Sequence, residues 1–131
     1  MSLPPEVSRR NIKVGIGILG ILELWWFVEL FPERYEVKIT VVKRLFHKDL
    51  VEKYTENPSG WRPCQKFKEG QEFTVSKDTP WVMPKGFCGW AWADIQKIVW
   101  GMARGGPRLF VTCCTDGYRP VIFKLERISD Q

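Results

Sequence analysis

Hydrophobic residues are arranged in three different ways along this chain, and each arrangement predicts a different element. Between Tyr35 and Val41 they alternate, with Val37 and Ile39 separated by Glu36, Lys38 and Thr40. A period of two predicts a half-buried strand. From Trp90 to Met102 the period is helical. Ala91, Ile95, Ile98 and Met102 form one stripe flanked by Trp92 and Val99, while Asp94 and Lys97 face away. Gly105-Gly106-Pro107 stops that helix. From Ile12 to Phe31 the apolar residues run almost continuously, and Pro32 ends the run.

Shorter patterns fill the rest. Leu45, Leu50, Val51 and Tyr54 among Lys48, Asp49, Glu52 and Lys53 predict a short amphipathic helix. Asn57-Pro58-Ser59-Gly60 reads as a loop, and Phe67 to Val75 as a turn at Glu69-Gly70 followed by a strand. Pro80, Pro84 and Gly86 mark an irregular crossing. Leu109–Cys114 and Val121–Arg127 predict a hairpin whose loop holds Asp116-Gly117, with Asp116 bonding its own backbone. The fold class expected is α+β: a small, mostly antiparallel sheet with one main packing helix at about 90–103, preceded by a hydrophobic N-terminal helix. Residues 1–32 form the lead-in and that first helix, and 33–131 a single α+β domain.

Three readings fit the segment 12–31. Its length suits a membrane span. Glu23 and Glu29 oppose that reading, because each mid-span acid costs about 2.5–3.5 kcal/mol on insertion. Arg9-Arg10 ahead of an apolar run resembles a twin-arginine leader, but Glu23 and Trp25 stand where a small-residue cleavage site belongs. The third reading is a helix buried on the domain or on a second copy. Lys13, Gly17, Gly20 and Glu23 make a polar-or-small stripe where another backbone can approach. It is the favoured one, with Gly17, Gly20 and Trp25 at the interface of a homo-oligomer. Membrane association through 12–31 is the alternative, so the location expected is cytoplasmic, with membrane-associated second.

Composition narrows the function classes. The 131 residues suffice for one domain. Hydrophobic residues at 44% and charged residues at 27% exclude a disordered tail. The net charge of +5 is interleaved with acids, as in Glu33-Arg34 and Lys48-Asp49, which predicts a mixed solvated surface and no specific nucleic acid. A single histidine, His47, excludes a His-rich metal cage. No phosphate-binding glycine loop precedes a helix, and Gly15, Gly17 and Gly20 follow no strand. Seven tryptophans invite a ligand-stacking reading, but Trp92 is expected to pack in the core.

The cysteines are the chemically distinctive set. Cys64 lies in a loop, Cys88 just before the helix at Trp90, and Cys113-Cys114 at a strand end, where the two point to opposite faces. A helix start presents free N–H groups that favour a thiolate, which makes Cys88 the candidate reactive or redox thiol. No Cys-x-x-Cys pair exists. Folding can still bring Cys64, Cys88 and Cys114 together as ligands of a metal ion or an iron–sulfur cluster, or all can be small apolar core residues.

From Tyr35 to Ile128 the chain resembles a family of short, uncharacterised cysteine-containing proteins found mainly in anaerobic bacteria and archaea. The features that carry the resemblance are the opening strand Tyr35–Val41, Cys64 ahead of Gly70 and Phe73, Gly86-Phe87-Cys88-Gly89-Trp90-Ala91, Gly105-Gly106, and Cys114-Thr115-Asp116-Gly117 before Pro120-Val121-Ile122-Phe123. It implies that Cys64, Cys88 and Cys114 are the characteristic cysteines and Cys113 an extra; it implies no activity. The function expected is an accessory or binding module with a thiol-based metal or redox site, and not a stand-alone enzyme. The alternatives are a structural, oligomeric protein with packed cysteines and, third, an enzyme with Cys88 as nucleophile and His47 as its base.

Overall fold

The structure is a computed structural model and describes residues 33–128. The expected helix at 12–31, with Gly17, Gly20 and Trp25, lies outside the described residues.

The α+β class is as expected. Four strands, β1 (Glu36–Arg44), β2 (Glu72–Val75), β3 (Leu109–Cys113) and β4 (Val121–Ile128), form one antiparallel sheet in the order β2-β1-β4-β3. Among the described residues two helices accompany it, α1 (Lys48–Tyr54) and α2 (Gly89–Ala103), with one 3-10 turn at Pro58–Gly60. Among the described residues no helix is long and apolar enough to cross a membrane.

The alternation in β1 does what it predicts. Val37, Ile39 and Val41 are fully buried, and from β4 so are Val121, Phe123 and Leu125. Each large apolar side chain so buried contributes about 1.5–3 kcal/mol. β1 nevertheless runs to Arg44, beyond the expected end at Val41. Val41 pairs with Phe123 and Lys43 with Ile122, so Val42 is an extra, bulged residue. The bulge destroys the period of two at the point where the pattern fades. α1 is shorter than its pattern: Val51 is buried, while Tyr54 is exposed.

α2 covers one face of the sheet with Ala91, Trp92, Ile95, Val99, Met102 and Ala103. Its end is a Schellman motif. Gly106 N donates to Gly101 O at 2.9 Å and Gly105 N to Met102 O at 3.2 Å, with Gly105 at φ +94. The aromatic centre of the core lies beside its start, where the Phe67 ring sits 5.1 Å from that of Phe87 and 5.2 Å from that of Phe123. The other face of the sheet carries Lys38, Lys124 and Glu126, with Lys38 and Lys124 both paired to Glu126 at 3.5 and 3.3 Å.

Candidate functional site at the start of α2

Pro84 to Phe87 form a tight turn, with Phe87 N donating to Pro84 O at 3.1 Å and Gly86 in the left-handed region at φ +80. The turn buries Phe87 and hands the chain to Cys88, the N-cap of α2. Cys88 has the extended backbone of a cap, and its carbonyl accepts Trp92 N at 2.9 Å. Its thiol makes no capping bond, so Cys88 is a half-buried free cysteine at the helix start.

Cys114 follows β3 and is buried. Its N–H donates to Val121 O at 3.2 Å, and its sulfur accepts Val121 N at 3.3 Å. Cys113 is exposed on the opposite face, as strand alternation predicts. Cys64 is half-buried in the loop after the 3-10 turn, where its carbonyl accepts Arg44 Nη1 at 2.9 Å. Cys64 and Cys88 pack against the same core cluster that contains Cys114. Folding therefore brings these three to one core and leaves Cys113 outside it. Among the described residues, however, no group of three or more His, Cys, Asp or Glu side chains is arranged to hold a metal ion. The metal or iron–sulfur centre expected on Cys64, Cys88 and Cys114 has no such grouping behind it; Cys64 and Cys88 pack on the cluster that contains Cys114, whose sulfur accepts the Val121 N–H.

One side chain joins this site together, and the sequence did not single it out. Asp94, expected to face away, accepts Thr115 N at 2.9 Å and approaches the Thr115 hydroxyl at 3.2–3.3 Å. Trp90 Nε1 also lies 3.4 Å from that hydroxyl. The residue after Cys114 is thereby tied to the first turns of the helix that Cys88 caps. No single-sequence signal marks this link, because an exposed acid on a helix has the same pattern whether or not it finds a partner.

His47 is the N-cap of α1 without a side-chain cap bond, and its backbone N–H donates to Tyr118 O at 2.8 Å. No hydrogen bond joins its side chain to a cysteine among the described residues. Asp116 behaves as the sequence predicts. Its Oδ1 accepts Tyr118 N at 3.0 Å and Arg119 N at 3.2 Å, and its Oδ2 accepts Arg119 Nε at 3.0 Å. Burial pushes the Asp116 carboxyl up, but the Arg119 side chain, those two backbone N–H groups and the Arg119 charge outweigh it and hold the group below its ordinary value. Arg119 also lies over the Trp61 ring at 5.3 Å. Of the tryptophans in α2, Trp92 is core, while Trp90 is 72% exposed and Trp100 lies half-exposed and tilted against Trp81, with ring centroids 5.7 Å apart.

No protein-family model, curated protein or solved structure matches this chain.

Proposed function

We propose that this chain is an accessory or binding module with a redox-sensitive thiol site, and not a stand-alone enzyme. The observation that supports this most is Cys88: a half-buried thiol at a helix start, free of any capping bond, on the same core as Cys64 and Cys114. A helix start favours the thiolate, the form that oxidants attack. In this reading hydrogen peroxide takes two electrons from Cys88 and one neighbouring cysteine. The two thiols give up their hydrogens, a sulfur–sulfur bond forms, and peroxide leaves as two waters. The resemblance of Tyr35–Ile128 to the uncharacterised cysteine-containing family belongs to the same proposal, as does a cytoplasmic setting, where thiols are kept reduced. Binding would use the exposed apolar surface of Trp81, Val82, Met83 and Trp100.

Peroxide titration of the full chain, followed by digestion without reductant and mass spectrometry, tests the site. A disulfide joining Cys88 to Cys64 or Cys114 is the expected result. If only Cys113 is oxidised while Cys88 stays a thiol, the cysteines are packing residues and the structural alternative holds.

A further inference from the structure

Among the described residues β3 and β2 are the two edges of the sheet, and they are built differently. β2 has four residues and opens on Glu72, which pairs with Lys38 at 3.7 Å. β3 reads Leu109-Phe110-Val111-Thr112-Cys113, with no charge, no proline and no bulge. Edge strands are usually protected by such devices, because their free backbone groups recruit other strands. Leu109 and Val111 are 57% and 60% exposed, and Phe110 is 40% exposed on the other face.

The hydrogen bonds fix which backbone groups of β3 have no partner among the described residues. Arg127 N donates to Arg108 O and Cys114 N to Val121 O, so the even-numbered residues of β3 point their N–H and C=O groups at β4. Leu109, Val111 and Cys113 therefore direct theirs away from the sheet. The side chains of the same three residues lie on the outer face, beside Glu126, Lys124 and Ile122.

We infer that β3 pairs with β3 of a second copy of this chain, antiparallel and centred on Val111, continuing the sheet through both copies. The pattern is self-complementary. A two-fold axis at Val111 sets Val111 opposite its counterpart and Leu109 opposite the counterpart of Cys113. Every outward N–H and C=O of Leu109, Val111 and Cys113 then meets its complement. The side chains brought together are apolar or thiol, with no charge among them. The nearest cations, Lys124 and its counterpart, are three strand spacings apart, about 14 Å, beyond the screening length of about 8 Å. This interface draws on β3 alone and does not rest on the thiol proposal.

The register supplies the test. Val111 and its counterpart form a hydrogen-bonded pair with Cα atoms about 5.5 Å apart, inside the range a disulfide spans. The full chain is expected to run at twice its 15.3 kDa mass in light scattering. Val111→Cys should cross-link as a 111–111 disulfide under mild oxidation, and Leu109→Cys should cross-link to the native Cys113 of the second copy. Val111→Glu faces Lys124 within its own chain, so it keeps the fold, but it sets two carboxylates against each other in the pair and should give single chains. Mixing Val111→Glu with Val111→Lys should restore the doubled mass. A wild-type chain of single mass overturns the inference. So does a dimer indifferent to Val111→Glu, which would be held by another surface such as residues 12–31, and so does failure of both engineered cross-links.

Discussion

Asp94 holds Thr115 across 21 positions of sequence, by its backbone N–H at 2.9 Å and through its hydroxyl. The pair fastens the loop after β3 to α2, and with it the position of Cys114 relative to the helix that Cys88 caps. Hydrogen bonds to a charged group contribute about 1.5–3 kcal/mol, less where solvent reaches them. Asp94→Ala is expected to cost about 1–2 kcal/mol in denaturant unfolding, and Asp94→Asn, which keeps one acceptor, to cost less. Equal losses in the two variants would mean that the carboxylate charge, not its hydrogen bonds, carries the link.

The glycines at the end of α2 have unequal roles. Gly105 is left-handed, and a Cβ there would strike the Glu33 carboxylate. A Cβ on Gly106 would come within 2.7 Å of Gly101 O, a backbone atom that cannot swing aside. Gly105→Ala is expected to cost about 1–2 kcal/mol from the left-handed conformation alone, with Gly106→Ala also destabilising. Gly101 has open space around its missing Cβ. Gly101→Ala should therefore raise stability by about 0.5–1 kcal/mol, through the better helix propensity of alanine. Thermal unfolding of the three variants separates the cases.

Asp116 gives the fold an acid dependence. Its carboxyl is held below the ordinary aspartate value of 3.8, so folding favours the charged form. The contribution is complete above that value and is lost as pH falls through the lower, folded-state value. Urea midpoints of the wild type and Asp116→Asn should differ at about pH 6 and draw together as pH falls below the ordinary aspartate value. Arg119→Gln should flatten the same dependence, since Arg119 supplies the largest of the opposing effects.

Thiol reactivity follows burial and helix-start chemistry together. At equal half-burial, iodoacetamide is expected to modify Cys88 ahead of Cys64, because the start of α2 favours its thiolate, and to reach buried Cys114 last. Cys88→Ser should leave thermal stability unchanged or higher, because serine is a better N-cap than a thiol that makes no cap bond. Cys114→Ala should be destabilising, since it strips Val121 N–H of its sulfur partner in a buried place. Peptide mapping after timed alkylation gives the order directly.

How much of this was legible in the sequence depends on the range of the signal. The stripe of α2, the alternation of β1, the turn at Glu69-Gly70 and the Asp116 turn are written in neighbouring residues, and each is present. The opposed faces of Cys113 and Cys114 follow from alternation alone. The extension of β1 was hidden because Val42 breaks the period. The place of β1 beside β4 was hidden as well, because both strands have similar patterns and nothing local names their partners. The site was legible to the extent that cysteines attract attention. Asp94, which ties it together, resembles any solvated helix acid until Thr115 is folded against it.

The pairing of Glu36 with Ile128 has one more consequence. The first residue of β1 and the last of β4 are cross-strand neighbours, about 5 Å apart between Cα atoms. The described domain is therefore entered and left at a single point. A short glycine bridge could join the two positions without bending either strand, and the chain could be reopened in the exposed stretch near Asn57. The same adjacency lets the whole unit be spliced into a surface loop of a host protein, whose own backbone would be parted by little more than the width of one strand pair.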